Sequence, residues 1–312
     1  MDLVDKMLSG DRLALSRLIS LVEARSRDLV SIMAKVQSRC GRAYKIGITG
    51  PPGAGKSTLA DKIISHLRKK GKTVGVVAID PSSPFSGGAV LGDRIRMQDH
   101  ASDEGVFIRS LGSRGSLGGI SRATREVTKL FDAFGMDFVI VETVGVGQTE
   151  LDIMGLADTT IVIVTPESGD AIQTLKAGIL EIADVFVVNK ADRDGSQLMQ
   201  AELRAMLELS TQRAAWTPPV LLVQATKDQG VAELMQAIED HHAFRRERGQ
   251  GQPGSEEEKK KRISLDETKE ILLEEIRIKI SDQLKRDAPQ RIDNPYQYAQ
   301  EFLTKFLGKK DN

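Results

Sequence analysis

Short apolar segments alternate with amphipathic ones through the middle of the chain. The apolar segments are rich in valine and isoleucine, which is typical of parallel strands covered on both faces. They occupy Ile46–Thr49, Thr73–Ile79, Val106–Ser110, Phe138–Val141, Thr160–Thr165, Val185–Val188 and Val220–Gln224. Amphipathic segments that separate several of them are Ser121–Phe134, Ala171–Ile182 and Leu198–Leu209. Because crossovers between parallel strands are right-handed, this order predicts an α/β fold with a mostly parallel sheet of about seven strands and helices on both sides.

A glycine-rich loop connects the first predicted strand to a predicted helix. Its sequence fits the pattern G-x-x-x-x-G-K-[ST], in which glycines let backbone N–H groups turn toward a phosphate beside the positive end of the helix. The residues expected to contact the phosphates are Gly50, Pro51, Pro52, Gly53, Ala54, Gly55, Lys56, Ser57 and Thr58. Lys56 is expected to reach the β- and γ-phosphates, and the Ser57 hydroxyl to bind Mg²⁺. The loop therefore predicts a binding site for a nucleoside triphosphate.

The motif Asn-Lys-Ala-Asp at 189–192 follows a predicted strand, at the end of a doubly wound sheet where ligands bind. The Asp192 carboxylate can accept hydrogen bonds from N1–H and the 2-amino group of guanine, neither of which adenine offers. Lys190 is expected to lie along the base plane, and Asn189 to connect this loop to the phosphate loop. Ala225 and Thr226, after the last predicted strand, complete the predicted base site. The sequence therefore predicts GTP and GDP as the nucleotides, together with Mg²⁺.

The two ends of the chain carry helical patterns outside this region. The pattern over Asp11–Lys35 predicts one or two helices with Asp11 as the N-cap, and the polar range Arg245–Arg262 predicts a linker. Asp266–Arg286 carries apolar residues at a spacing that favours a dimerisation helix, with packing against the body of the chain as the alternative. The predicted domains are a helical segment (1–42), a GTPase domain (43–244), the linker (245–262) and a helical dimerisation segment (263–312).

The composition is balanced in charge. The 312 residues contain 44 basic and 44 acidic side chains, so no broad electrostatic field attracts nucleic acid or a membrane surface. A single cysteine, Cys40, excludes an internal disulfide and is typical of a reducing compartment. The first residues show no secretory or transit pattern, and no apolar run approaches the roughly 20 residues that span a bilayer. These features predict a cytoplasmic location.

Carboxylates and a glycine-rich loop stand near the ends of two other predicted strands. Asp80 ends one strand, Asp93 follows in the next loop, and Glu142 ends another strand. Each is a candidate to bind Mg²⁺ directly or through water, and an ordinary capping or turn role is the alternative. The N–H of Gly145 is expected to meet the γ-phosphate. Val146 stands where small GTPases have the glutamine that orients water, so Gln148 is either catalytic after a loop rearrangement or a surface residue.

Three stretches carry a family resemblance: Val77–Pro84, Gly87–Met97 and Glu142–Gln148. Together they resemble the methylmalonyl-CoA mutase-associated GTPases, also called MeaB-type or ArgK-type proteins. The similarity runs from about Leu13 through Ile238 and more loosely into the C-terminal helices. The resemblance implies a dimeric G protein that protects and reloads an adenosylcobalamin-dependent acyl-CoA mutase. It also implies that this protein gates transfer of the cofactor from a cobalamin adenosyltransferase and the removal of damaged cobalamin.

The same resemblance assigns roles to individual residues. It implies that Asp80, Asp93 and Glu142 line the Mg²⁺ and phosphate site. It also implies that Pro166–Lys176 is an additional switch that responds to the mutase. Lys176 is the predicted relay residue of that switch, with a solvated lysine on an amphipathic helix as the alternative. Methylmalonyl-CoA mutase is the favoured partner, and isobutyryl-CoA mutase or another acyl-CoA mutase is the alternative.

Two other function classes share parts of this pattern. A nickel-insertion metallochaperone would need soft or imidazole ligands, for which the chain offers Cys40, His66, His100, His241 and His242. The adjacent pair at 241 and 242 would point about 100° apart on a helix. A phosphate-loop kinase for a small molecule is disfavoured by the guanine motif, which argues against ATP.

Overall fold

The computed structural model describes residues 2–80, 100, 102–112, 122–143, 152–167, 181–210, 215–248, 256–287, 289 and 292–308. The chain forms two units, one over residues 1–246 and the other over residues 247–312. Within the described residues, no helix combines the length and the apolar character needed to cross a membrane.

The first unit contains a parallel sheet at its centre. Its strands are β1 (Tyr44–Thr49), β2 (Val74–Asp80), β3 (Val106–Gly112), β4 (Phe138–Glu142), β5 (Thr159–Val164), β6 (Val185–Asn189) and β7 (Val220–Val223). Their order across the sheet is β3-β2-β4-β1-β5-β6-β7, and every pair of neighbours is parallel. The prediction of a parallel α/β sheet is confirmed. Since β1 lies between β4 and β5, its carboxyl end falls at the point where the strand order changes direction, which is where such sheets bind ligands.

Helices follow the strands and also precede the first one. The helices that begin in the first unit are α1 (Leu3–Leu8), α2 (Arg12–Glu23), α3 (Leu29–Gln37), α4 (Lys56–Lys69), α5 (Arg122–Phe134), α6 (Ser196–Ser210) and α7 (Val231–Arg248). The last two residues of α7 belong to the second unit. The second unit contains α8 (Glu256–Asp287) and α9 (Pro295–Gly308). Asp11 caps α2 as predicted, since its side chain accepts hydrogen bonds from two backbone N–H groups of the first turn at 2.8 and 3.0 Å.

The boundaries of some helices differ from the sequence pattern. Helix α1 lies within the predicted helical segment 1–42 but precedes the pattern over Asp11–Lys35, which holds α2 and α3. Helix α7 continues to Arg248 and α8 begins at Glu256, so helices occupy both ends of the range 245–262 that was predicted to be a linker. The physical reason is that Glu, Lys and Arg are good helix formers, and an exposed helix can carry runs of them. The predicted helix over 171–182 lies almost entirely outside the described residues.

Apolar side chains fill the space on both faces of the sheet. On one face, α4 and α7 contribute Ile63, Leu67, Leu234 and Ile238 to a core that includes the centre of β1. On the other face, α5 packs with the N-terminal helices, and Leu15 and Leu18 of α2 share a core with strands β2 and β4. The N-terminal helices therefore bury their apolar faces against the sheet domain itself.

Aspartates form hydrogen bonds between strands at the amino-terminal edge of the sheet. Three of them directly precede a strand and accept a hydrogen bond from a backbone N–H near the start of a neighbouring strand: Asp137 from Thr73 at 2.8 Å, Asp158 from Lys45 at 2.8 Å and Asp184 from Thr160 at 2.7 Å. These bonds align the strands at one edge. The opposite, carboxyl-terminal edge is the one that carries the glycine-rich loop and the base motif.

The second unit exposes a series of large apolar side chains. They are Leu265, Leu272, Leu273, Ile276, Ile278, Ile292, Tyr296 and Leu303. Large apolar side chains that are exposed in such number are candidates for an interaction surface.

Candidate nucleotide-binding site

A pocket of about 490 Å³ opens at the carboxyl ends of the central strands. This volume lies in the range of small-molecule sites. The predicted residues that line the pocket are Pro52, Gly53, Gly55, Lys56, Ser57, Thr58, Glu142, Asn189, Lys190, Asp192, Ala225 and Thr226. Three lining residues were not predicted to belong to it: Ile79, Thr143 and Gln224. The fold thus brings the phosphate motif and the base motif to one cavity, although more than a hundred residues separate them in the chain.

The glycines of the phosphate loop adopt conformations that other residues avoid. Gly50, Gly53 and Gly55 have φ values of 141°, 78° and 89°. A Cβ atom on Gly50 would lie 2.1 Å from the carbonyl oxygen of Ile163, and one on Gly55 would lie 2.4 Å from Nδ2 of Asn189. Both the backbone angle and the close neighbours therefore require glycine.

The Lys56 ammonium is held inside the phosphate loop. Its Nζ donates hydrogen bonds to the carbonyl oxygens of Gly50 at 2.9 Å and Pro51 at 3.0 Å, and the residue is buried. These two loop residues therefore contact the lysine through their backbone. A buried ammonium at the centre of a loop that begins a helix is suited to bind phosphate oxygens, which offer a charged acceptor in place of neutral ones.

Ser57 and Glu142 form a direct contact at the predicted metal site. The Ser57 hydroxyl donates a hydrogen bond of 2.6 Å to Oε1 of Glu142, and both residues are buried. Asp80 is also buried and ends β2, the strand beside β4. Carboxylates buried at adjacent strand ends favour a cation nearby, and carboxylate and hydroxyl oxygens are the ligands that Mg²⁺ prefers. These residues fit the predicted Mg²⁺ site.

Protein side chains supply only part of such a site. Among the described residues, no three His, Cys, Asp or Glu side chains converge in a way that could hold a metal ion. Mg²⁺ in nucleotide sites is usually bound by one or two protein side chains, with water and phosphate oxygens as the other ligands. A pair of oxygen ligands such as Ser57 and Glu142 fits that requirement.

Asn189 connects the base motif to two other loops. Its Nδ2 donates to the carbonyl oxygen of Ala54 at 2.8 Å, which is the predicted link to the phosphate loop. Its Oδ1 also accepts a hydrogen bond from the N–H of Ala225 at 3.2 Å, a contact that the sequence did not indicate. Asn189 is buried, so both bonds form away from water. The Asn189 side chain therefore connects the phosphate loop, the loop after β6 and the loop after β7.

Several predicted residues lie outside the described part of the chain. They are Asp93, Gly145, Gln148 and Lys176, together with most of the predicted additional switch. Of that switch, the structure describes Pro166 and Glu167. Glu167 forms ion pairs with Lys190 and Arg193 that sequence reasoning missed, because no local pattern links a residue after β5 to a loop after β6.

The four histidines contact groups of different kinds. His241 Nδ1 lies 2.8 Å from the Thr159 hydroxyl, and its Nε2 lies 3.3 Å from Asp184. The ring of His242 lies against that of Tyr44, with centroids 4.1 Å apart and an angle of 37° between the ring planes, and burial lowers the pKa of His242. The Tyr44 hydroxyl is itself hydrogen-bonded to Thr159, so the two adjacent histidines contact one connected set of side chains. His66 contacts Asp228 at 2.9 Å, and His100 contacts Asp61 at 3.1 Å.

The Ser57 and Glu142 contact leads to a test of the metal site. In Glu142→Ala, the Mg²⁺ concentration for half-maximal GTP hydrolysis should rise about 10- to 100-fold, because the carboxylate that orients the Ser57 hydroxyl is lost. Glu142→Gln keeps a hydrogen-bonding oxygen without the charge, so its half-maximal Mg²⁺ concentration should lie between those of the unmodified protein and Glu142→Ala. A Mg²⁺ titration of the hydrolysis rate provides the measurement. Normal activity of Glu142→Ala at low Mg²⁺ would contradict the metal role of this strand end.

Comparisons with known proteins find several similar GTPases. The family described as methylmalonyl-CoA mutase-associated GTPase MeaB matches residues 15–283. A putative GTPase of Pyrococcus abyssi is 46% identical, with 98% of this chain and 97% of that protein covered. The GTPase ArgK of Escherichia coli is 39% identical over 76% of this chain and 74% of its own length. The mitochondrial methylmalonic aciduria type A homolog of Mus musculus is 34% identical over 75% of this chain and 61% of its own length.

A solved structure has a similar fold. It is a crystal structure described as a LAO/AO transport system kinase, with a TM-score of 0.71 and 25% identity, and it covers 98% of this chain and 97% of its own. The family match spans most of the chain and includes both nucleotide motifs. The chain therefore belongs to the MeaB family of methylmalonyl-CoA mutase-associated GTPases.

Proposed function

We propose that this GTPase is a chaperone of an adenosylcobalamin-dependent acyl-CoA mutase, with methylmalonyl-CoA mutase as the partner. It would protect the mutase and use GTP hydrolysis to gate the loading and removal of the cofactor. The family match over residues 15–283 carries the proposal, because the family is described by its association with that mutase. The mouse relative, whose name refers to methylmalonic aciduria, supports the same partner.

The nucleotide site supports a GTP-driven cycle. Lys56 lies where it can exchange its two carbonyl acceptors for phosphate oxygens, and thereby stabilise the negative charge that develops during hydrolysis. Ser57 and Glu142 would hold Mg²⁺, which would neutralise part of the negative charge of the phosphates. Asn189 keeps the base and phosphate loops together. The described residues thus bind and orient the nucleotide, and a partner is needed for fast hydrolysis because Val146 replaces the usual water-orienting glutamine.

The remaining parts of the proposal concern assembly. The exposed apolar side chains of α8 and α9 support a homodimer formed through the second unit, because burial of such a surface is favourable. A cobalamin adenosyltransferase is the proposed donor of the cofactor, in keeping with a chaperone that controls loading. The single cysteine suits a cytoplasmic site of action.

Coupling to the partner can be tested by the rate of GTP hydrolysis. Addition of purified methylmalonyl-CoA mutase should raise the rate at least about tenfold, equivalent to ~1.4 kcal/mol of added transition-state stabilisation. Ordering the switch segments requires a partner with differential affinity for the ordered state. In Lys176→Ala, the ratio of stimulated to unstimulated rate should fall toward one.

Two controls make this test specific. An equal concentration of serum albumin should leave the rate unchanged, and isobutyryl-CoA mutase should stimulate it less than methylmalonyl-CoA mutase does. Stronger stimulation by another acyl-CoA mutase would show that this mutase, and not methylmalonyl-CoA mutase, is the partner. Absence of stimulation by every such mutase would overturn the chaperone proposal while leaving the GTPase assignment intact.

A further inference from the structure

Glu167 lies between two cations of the base-binding loop. Its Oε2 is 2.7 Å from Nζ of Lys190, and its Oε1 is 2.7 Å from Nη1 of Arg193. The hydrogen bond from Lys190, followed by the charges of Arg193 and Lys190, holds the pKa of this carboxyl below its usual value against the opposing effect of desolvation. Each carboxylate oxygen thus has a cation of its own.

The contact follows from the order of strands in the sheet. Glu167 comes shortly after β5 and Lys190 directly after β6, and these two strands are parallel neighbours, with Val164 opposite Val188. Two loops at the same edge of the sheet are therefore brought together across 23 residues of chain. The side chains of Glu167, Lys190 and Arg193 are 42%, 32% and 58% exposed, so the ion pairs add little to folding stability. Their main effect is therefore on the conformation of the loop that carries Lys190 and Arg193.

Lys190 is restrained at both ends of its side chain. Its backbone has a φ of 57°, in the left-handed region that a lysine rarely adopts. The turn is closed by hydrogen bonds from Arg193 N to Lys190 O at 2.9 Å and from Ala191 N to Val223 O at 3.1 Å. At the other end, Glu167 holds the ammonium. Because Lys190 lines the nucleotide pocket, these restraints act on a residue of the pocket wall.

We propose that Glu167 is a positioning residue for guanine nucleotide binding, which orders the Lys190 side chain along the base before the nucleotide binds. Among the described residues, Glu167 does not line the pocket, so it acts through Lys190. A free lysine side chain loses rotamer freedom when a ligand packs on it, and a side chain that is already ordered removes that loss from the binding step. The base is common to GTP and GDP, so both nucleotides should benefit equally.

Nucleotide affinity provides the first test. In Glu167→Ala, the Kd for GDP labelled with an N-methylanthraniloyl group should rise about 3- to 10-fold, the range expected from ordering one flexible side chain. The Kd for GTP with the same label should rise by the same factor, and faster dissociation of the nucleotide should account for most of the increase. The difference from the unmodified protein should shrink as salt is added, because a partly exposed ion pair is screened. Glu167→Gln, which keeps a hydrogen-bond acceptor for Lys190, should lose less.

A double-mutant cycle separates positioning from a direct or structural role. Lys190→Met keeps an apolar stem of similar length and removes the ammonium that Glu167 holds. In the Lys190→Met background, Glu167→Ala should change the Kd by less than about twofold, since the two residues act as one unit. Arg193→Ala should have a smaller effect than Glu167→Ala, and no added effect when Glu167 is already alanine.

Asp194→Ala is the matched control, because it removes an exposed negative charge from the loop that carries Lys190 and Arg193 but leaves Glu167 in place. It should leave the Kd unchanged, and all variants should keep the melting temperature of the unmodified protein. Additive losses in the double-mutant cycle would overturn the proposal, as would a Kd in Glu167→Ala within twofold of the unmodified value. Equal losses in Asp194→Ala and Glu167→Ala would also overturn it, since the effect would then reflect loop charge alone.

Discussion

Replacing Lys56 by alanine should lower the rate of GTP hydrolysis by about 10²- to 10³-fold, the loss seen when one preorganised donor to developing charge is removed. The ammonium is buried and accepted by two carbonyl groups of the phosphate loop, so its removal takes the positive charge out of that loop. Single-turnover hydrolysis, with the nucleotide Kd measured in parallel, separates lost turnover from lost binding.

Two further variants sharpen the Lys56 test. Lys69→Ala removes an exposed cation from the last turn of the same helix and should leave the rate unchanged. Lys56→Arg keeps the charge but replaces a compact ammonium by a planar guanidinium, so it should restore little activity in so confined a site. Hydrolysis by Lys56→Ala within tenfold of the unmodified rate would contradict the catalytic role of this residue.

The second large effect is expected for recognition of the guanine base. Asp192→Asn should weaken GTP binding at least about tenfold and improve binding of XTP, because the side-chain amide offers a donor where xanthine presents an oxygen and guanine an amine. Asp192 lines the pocket, and its loop is fixed by the hydrogen bonds of Asn189, so the new side chain should occupy the same position. Competition binding with GTP and XTP measures the change in preference between these two nucleotides.

Asp194→Asn, two residues further along the same loop, is the control for the change at Asp192 and should alter neither affinity. If GTP affinity were unchanged in Asp192→Asn and XTP gained nothing, the guanine assignment would be wrong. Weaker binding of both nucleotides would instead point to a disturbed loop, which the melting temperature and the affinity for Mg²⁺ would reveal.

Local patterns in the sequence determined much of this protein. The strand positions, the glycine-rich loop and the Asp11 cap were all predictable, because strand burial, left-handed glycines and helix caps depend on residues close together in the chain. The parallel sheet followed from the alternation of strands and helices. Boundaries were less predictable: α1 is only six residues long, and the charged ends of the predicted linker are helical.

Tertiary structure alone decided which distant groups meet. From the sequence, Asp80, Asp93 and Glu142 were equal candidates for the metal site, and only the fold shows that Glu142 accepts the Ser57 hydroxyl across 85 residues of chain. The motif predicted the link from Asn189 to the phosphate loop, but not the bond that Asn189 accepts from Ala225. The ion pair of Glu167 with Lys190, which joins loops after neighbouring strands, was not predicted either. Spacing in a sequence encodes the local geometry of helices, turns and strands, whereas the order of strands in the sheet determines which loops share an edge, and that order forms only when the core packs.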